Sequence, residues 1–161
     1  MTIKKRSQKQ EKSVARDFNA RPTVASGALW GMKGDVRNDK FLIECKTTQK
    51  NYYPLTAKVW EKIEQEALKD HDRIPLMVID LEDSHRVIVF KPCYFNNAPR
   101  SAICVTDKAL KSYRVKSIDL GHFNELGEYL SAISFKICGR SSHVLYCMKV
   151  EDFTECFKEE L

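Results

Sequence analysis

A nearly continuous apolar segment restricts the fold of this chain more than any other feature. Residues 76–81 are apolar except for one aspartate, which is typical of a strand buried on both faces of a sheet. Residues 86–90 form a second β-rich segment. Before both lies Ala57–Lys69, which has helical apolar spacing and a capping residue, Thr56. A helix between strands, without a hairpin-length turn, predicts a crossover and therefore an α/β fold with a mixed central sheet flanked by helices.

Periodicity and turn residues predict the structure of the remaining segments. The N-terminal half predicts a helix over 7–18 that begins at a Ser7–Gln10 capping box, a loop over 19–33, a hairpin of 34–37 and 40–47 around a turn at 38–39, and a loop over 50–55. The C-terminal half predicts a strand over 113–120, a helix over 124–131, strands over 133–138 and 144–150 joined by a turn at 139–142, and a helix over 151–160.

The size and composition suit one compact globular unit. With 161 residues and 43% hydrophobic side chains, the chain can bury a sizeable core. We divide it into a core at residues 1–91 and an α+β extension at 92–161 that packs on the core. None of the six cysteines forms a C-x-x-C pair and the four histidines are isolated, which argues against structural zinc. No apolar run suits a signal peptide or a membrane span, so we expect a cytoplasmic protein without a membrane partner.

Positive charge is concentrated in the N-terminal third. Residues 1–50 carry 12 Lys and Arg against 5 Asp and Glu, whereas the whole chain has a net charge of +5. This asymmetry is a hint of a polyanionic partner such as DNA, although an ordinary charged surface gives the same pattern. The N-terminal cluster is either an arm on DNA phosphates or a solvated end, and a second basic stretch is a weaker candidate. Their cations are Lys4, Lys5, Arg6, Lys9 and Lys12, and Lys111, Arg114 and Lys116, respectively.

The predicted hairpin brings together three charged side chains. A two-residue turn at 38–39 pairs Asp35 with Leu42, which places Asp35 on the sheet face of Glu44 and Lys46. A three-residue turn would instead place Asp35 on the opposite face. Two neighbouring carboxylates suit Mg²⁺, which can polarise a phosphate and lower the pKa of a bound water. Lys46 can hold the attacking water or stabilise charge on the phosphate.

Such a short pattern is, on its own, usually a surface Glu–Lys pair. Three features favour a catalytic role here: the other face of the strand is apolar, the region is the most basic part of the chain, and a third carboxylate is near. That carboxylate is Glu11, three residues before Val14 and on the inward stripe of the first helix.

These residues resemble the D…(D/E)-x-K signature of the PD-(D/E)XK, or restriction-endonuclease-like, nuclease superfamily. The order of elements over residues 7–90 is similar to that of the family's core. Further similarity to the archaeal- and phage-type Holliday junction resolvases lies in Glu11, Arg21-Pro22, Ser26-Gly27, Gly34-Asp35 and the segment 43–47, with Tyr52 following. Gly34 stands where the superfamily usually has proline, and residues 92–161 exceed the compact resolvase core.

The resemblance implies a role for each matched residue. Asp35, Glu44 and the backbone carbonyl of Cys45 would bind Mg²⁺, with Mn²⁺ able to substitute, and Glu11 would be a further acidic ligand. Lys46 would orient the nucleophilic water. Ser26 would contact the DNA backbone near the cut, and Arg21 and Lys33 would lie on the same DNA-binding surface.

The implied activity is magnesium-dependent cleavage of branched DNA by a homodimer, with a four-way junction as the substrate, in a bacterial cytoplasm if a phage encodes the chain. Two alternatives remain open: a nickase, restriction-type or repair nuclease on duplex DNA, and a nucleic-acid-binding module of the same fold without cleavage. The complete set of Glu11, Asp35, Glu44 and Lys46 argues against the second alternative.

Overall fold

The computed structural model describes residues 3–23, 34–82, 84–96, 98, 102–104, 115–119, 121 and 132–161. Over these residues it has three α-helices, ten strands and one short 3-10 helix. In chain order they are α1 Ile3–Asp17, β1 Arg21–Pro22, β2 Val36–Arg37, β3 Phe41–Thr48, β4 Tyr52–Thr56, α2 Ala57–Lys69, β5 Ile74–Leu81, β6 His85–Phe90, the 3-10 helix Pro92–Tyr94, β7 Ala102–Cys104, β8 Val115–Asp119, β9 Ala132–Cys138, β10 Ser142–Lys149 and α3 Val150–Cys156. The helix predicted over 124–131 lies outside the described residues.

The predicted α/β fold with a mixed central sheet is confirmed. Eight strands form one sheet in the order β1-β2-β3-β5-β6-β10-β9-β7, and β4 pairs with β8 in a separate ribbon. The pairs β3–β5 and β7–β9 are parallel and the others are antiparallel. Parallel β3 and β5 are joined through α2, which is the crossover that the sequence predicted.

Local sequence explains why α2 forms where predicted. Thr56 at the N-cap is extended, and its hydroxyl accepts a hydrogen bond from the Val59 amide at 3.3 Å. The helix buries Ala57, Trp60, Ile63 and Ala67, one apolar stripe along its length. This stripe faces β5, whose residues Leu76–Ile79 are fully buried, as a strand covered on both faces requires.

Each face of the sheet has its own core. On one face, Val14 of α1 and Phe18, which follows α1, meet Phe153 and Phe157, which come from α3 and the turn that follows it. Aromatic rings dominate this core: Phe18 and Phe153 have ring centroids 6.1 Å apart, and Phe153 and Phe90 are 5.0 Å apart. The other face packs against α2 and around Trp60. The sheet is therefore covered by helices on both sides, and the charged groups of β3 lie at its margin.

Four local predictions are wrong. Residues 21–22, predicted as part of a loop, form β1, because they pair with β2. Residues 52–55, predicted as loop, belong to β4, because the predicted strand near 115–119 pairs with them as β8. Helix α1 begins at Ile3, so Ser7 lies inside the helix and donates to Glu11 Oε1 at 2.9 Å instead of capping it. The fourth concerns the β2–β3 turn, which is described with the site. The C-terminal strands and α3 were predicted within a few residues.

Residues before and after position 91 belong to one sheet, since β10 pairs with β6 along Val87–Phe90. The division into a core at 1–91 and an extension at 92–161 remains a prediction, and both parts contribute strands to the same sheet. In the part of the chain described, no helix has the length and apolarity needed to cross a membrane.

Candidate active site

The candidate active site lies where β3 extends beyond its short partner β2. Strand β2 covers only Ile43 and Leu42, through pairs with Val36 and Arg37. Beyond this ladder the Asp35 carboxylate replaces the backbone of β2 as the hydrogen-bond partner of β3. Its Oδ2 accepts a hydrogen bond from the Cys45 amide at 2.9 Å. The amide of Asp35 donates to the Ile43 carbonyl at 3.1 Å. Asp35 is thereby held against the edge of β3, next to Glu44.

The turn that produces this arrangement is shifted by one residue from the prediction. The Asn38 amide donates to the Phe41 carbonyl at 3.2 Å, and Asn38 Oδ1 accepts from the Phe41 amide at 2.7 Å. The central turn residues are therefore Asp39 and Lys40 rather than 38 and 39. The pairing changes by two residues, from Arg37–Lys40 to Arg37–Leu42. A change of two residues in the pairing preserves the alternation of faces along β3, and Asp35 itself lies just before β2, with its carboxylate hydrogen-bonded to the Cys45 amide.

Glu44 and Lys46 form an ion pair at this edge, with Lys46 Nζ 2.5 Å from Glu44 Oε1. The Glu44 side chain is 16% exposed and that of Lys46 is 33% exposed, so solvent screens the pair only in part. Cys45 between them points to the opposite side and is buried in the α1 core. The strand thus has one apolar face and one charged face, as its alternating sequence predicted.

The carboxylates influence one another. Burial raises the pKa of Glu44, the charge of Asp35 raises it further, and Lys46 only partly offsets this. Burial also raises the pKa of Glu11. The hydrogen bond from Ser7 lowers this pKa in part, and the charge of Asp35 raises it further. Burial and the surrounding carboxylates, Asp35 first, hold the pKa of the Cys45 thiol well above its usual range. A divalent cation would relieve this repulsion.

Lys46 remains an ammonium group at neutral pH. Burial lowers the pKa of Lys46, but the hydrogen bond and charge of Glu44, with Asp35 behind it, outweigh burial and raise the pKa. Lys46 can therefore donate to a phosphate or a water, and it cannot act as a proton acceptor.

Three residues near the site were not singled out for it from the sequence. Gln10 is 3% exposed, and its side-chain amide donates to the Lys46 carbonyl at 2.7 Å, which ties α1 and its Glu11 to β3. Tyr53 of β4 and Lys62 of α2 both interact electrostatically with Glu44. Gln10 stands on the inward side of a polar helix, a signal that was visible in the sequence. The approach of Tyr53 and Lys62 depends on the fold.

The donor set suits a hard cation. The carboxylates of Asp35 and Glu44 and the Cys45 carbonyl offer oxygen ligands, and Glu11 is close enough to feel the charge of Asp35. Among the described residues, no three Asp, Glu, His or Cys side chains converge closely enough to hold a metal ion by themselves. Mg²⁺ in proteins usually keeps several waters and takes one or two carboxylates.

Most of the proposed DNA-binding residues that the structure describes lie on α1. Lys4, Lys5, Lys9 and Lys12 are exposed, and Arg6 is half-buried. Their cluster is helical from Ile3 onward rather than an extended arm. Arg21 is exposed in β1. Lys116 belongs to β8, whereas Ser26, Lys33, Lys111 and Arg114 lie outside the described residues.

Comparison with known proteins finds similarity among solved structures. No family model matches the chain, and no curated protein matches it either. Among solved structures, the chain is similar to Hjc, a Holliday junction resolvase from the archaeal hyperthermophile Archaeoglobus fulgidus. The identity is 16% and the TM-score is 0.39, and the match covers 48% of this chain and 70% of that one.

Proposed function

We propose that this protein is a metal-dependent DNA endonuclease of the restriction-endonuclease-like type. The observation that carries the proposal is the position of Asp35 at the edge of β3, beside the Glu44–Lys46 ion pair. A carboxylate pair with an adjacent ammonium group provides both a cation site and a donor for phosphate oxygens. Exposed lysines on α1 supply positive charge for the DNA backbone.

In this proposal Asp35, Glu44 and the Cys45 carbonyl hold Mg²⁺, for which Mn²⁺ can substitute, and Glu11 contributes directly or through water. When bound, the ion supplies Lewis-acid activation of the phosphate and a water of lowered pKa. Lys46 donates to the attacking water or to a phosphate oxygen and so positions the two reactants. Asp35 binds the Cys45 amide and Gln10 binds the Lys46 carbonyl. These hydrogen bonds hold the segment before β2, and α1, against β3.

The preferred substrate is a four-way DNA junction, which would be cut by a homodimer in a bacterial cytoplasm. A four-way junction has two equivalent strands to cut, so a two-fold symmetric enzyme presents one site to each. This finer assignment is supported by the family resemblance of Glu11, Asp35 and the Glu44-Cys45-Lys46 triplet.

Cleavage of matched four-way, Y-shaped and linear duplex DNA in Mg²⁺ tests the proposal. The parent protein should make paired, symmetric nicks in the four-way junction, and Glu44→Ala should abolish them. Binding of DNA by Glu44→Ala in EDTA should survive or tighten, because a negative charge facing phosphate is removed. Glu155→Ala is the matched control, since Glu155 is exposed on α3.

Each other outcome has a defined meaning. Full cleavage by Glu44→Ala contradicts the active-site assignment. Equal cutting of linear duplex by a protein that sediments as a monomer on DNA replaces junction resolution by a general nuclease activity. Tight binding without cleavage by the parent protein, in either metal, identifies a non-catalytic binding module.

A further inference from the structure

A polar cavity of about 620 Å³ adjoins the candidate active site. It lies between the end of α1, strand β1, the β2–β3 turn and the residues that follow α2. The cavity is next to Asp35, because the Thr23 amide on its wall donates to the Asp35 carbonyl at 2.8 Å. The cavity therefore borders the backbone of Asp35, whose carboxylate belongs to the candidate active site.

Three arginines line this cavity, and one aspartate organises two of them. Arg37 Nη1 lies 3.2 Å from one oxygen of Asp70, and Arg73 Nη1 lies 2.5 Å from the other. Arg73 Nε also donates to the Asn38 carbonyl at 2.5 Å. The third arginine, Arg21, is exposed and stands opposite Arg37 in the β1–β2 ladder. Asp39 also lines the cavity, so its three arginines outnumber its two carboxylates by one.

Thr23 also lines the cavity, and its hydroxyl group is buried. Thr23 is 9% exposed, and among the described residues its Oγ1 has no hydrogen-bond partner. Leaving such a group unpaired destabilises the fold, and a valine of the same shape would avoid this cost. Thr23 is a donor placed among arginines, which is the combination that binds phosphate oxygens in protein–DNA complexes.

We propose that this cavity binds a DNA phosphate that neighbours the scissile one on the cleaved strand. Arg37 is two residues from Asp35, about 7 Å along an extended strand, so the cavity and the metal site can contact successive parts of one backbone. Arg21 and Arg37 neutralise the phosphate, Thr23 donates to it, and Asp70 keeps Arg37 oriented. The inference rests on the proposed nuclease function, because the phosphate is defined by its position next to the scissile phosphate on the cleaved strand.

Two substitutions test the cavity with DNA held uncut in EDTA. Arg37→Gln should reduce the slope of log K against log salt for four-way junction binding by about 0.9, the contribution of one phosphate. Thr23→Val should weaken binding at fixed salt about tenfold, the effect of losing one hydrogen bond to a charged group. Thr23→Ser, which keeps the hydroxyl, should bind as the parent does.

The melting temperature separates this role from a structural one. Thr23→Val should melt at the same temperature as the parent or higher, because an unpaired buried hydroxyl is removed. The charge-matched control is Lys136→Gln, whose lysine is exposed on β9, four strands from β3, and it should retain the parent slope. A lower melting temperature for Thr23→Val with unchanged DNA binding would overturn the proposal and assign Thr23 a structural role.

The outcomes distinguish this proposal from the nuclease function. DNA binding by the parent that is insensitive to both Thr23→Val and Arg37→Gln overturns the cavity alone. Binding that depends on Thr23 and Arg37, in a protein that cuts no DNA in Mg²⁺ or Mn²⁺, supports the cavity and overturns the nuclease function. Absence of DNA binding by the parent overturns both.

Discussion

Glu44 carries its charge between a second carboxylate and an ammonium group, at a position only 16% exposed. Burial and Asp35 raise the pKa of Glu44 despite the ion pair with Lys46, so the folded protein disfavours the ionised form. A carboxyl whose pKa is higher in the folded state stabilises the fold below its unfolded pKa, near 4.5, and loses this contribution as the pH rises through the folded value. The site therefore costs stability at neutral pH, as catalytic sites often do.

Glu44→Gln should accordingly raise the melting temperature at pH 7 in EDTA, and the gain should disappear below about pH 4.5. For a chain of this size, each kcal/mol gained corresponds to about 2–4 °C. Thermal unfolding of both proteins from pH 4 to pH 8 measures this, with the exposed Glu155→Gln as control. A lower melting temperature for Glu44→Gln at pH 7 would show that the ion pair with Lys46 outweighs the cost of burial.

At the scale of elements, α1 combines two functions on different faces. Val14 and Ala15 of α1, with Phe18 just after it, form a buried apolar stripe, while Gln10 binds the Lys46 carbonyl and brings Glu11 toward Asp35. Lysines on the outer face of the same helix remain exposed. A helix anchored in this way presents its cations at a defined distance from the site, which an unstructured arm would not.

Lys9→Gln combined with Lys12→Gln should therefore weaken DNA binding and reduce the slope of log K against log salt by up to about 1.8, two phosphate contacts. The helix should remain folded by circular dichroism, since both side chains are exposed. Lys158→Gln, at an exposed position after α3, serves as control. A slope equal to that of the parent would show that α1 faces away from the DNA.

Helix α2 offers a test of its cap. Thr56→Ala should reduce the free energy of unfolding by about 1 kcal/mol, because the Val59 amide loses its acceptor. Thr56→Ser keeps the oxygen and should restore most of the stability. Urea denaturation measures the difference, and equal midpoints for Thr56→Ala and the parent would refute the role of the cap.

At the scale of the whole molecule, the C-terminal residues complete the structure that holds the site. Strand β10 pairs with β6, and Phe153 and Phe157 fill the core against Phe18 and Phe90. Phe153 is completely buried and lies within 6.1 Å, centroid to centroid, of both. Without the extension, an inner edge of the sheet and one aromatic core would be exposed to solvent.

A chain that ends at residue 91 should therefore fail to fold cooperatively. In the full chain, Phe153→Ala should lower the free energy of unfolding by about 3–5 kcal/mol, through lost burial and a cavity. Chemical denaturation followed by circular dichroism tests both. A single cooperative transition for residues 1–91 would instead establish an independently folding core.

The amino-acid sequence by itself determined the elements whose signals are local. The cap at Thr56, the stripe of α2, the buried run of β5 and the alternation of β3 depend on neighbours a few residues away, and they appear as predicted. A turn displaced by one residue also keeps Asp35 near Glu44 and Lys46, because the pairing then changes by two residues and side chains alternate with a period of two.

Only the tertiary structure decided what depends on distant partners. Residues 52–55 become a strand because β8 pairs with them, and Ser7 lies inside a helix that Gln10 anchors to β3. The cavity that joins Thr23, Arg37 and Arg73 draws on segments separated by up to 50 residues, so no local pattern could indicate it. The local sequence determines which charged side chains are available. Their convergence at the end of β2 results from how the sheet and helices pack.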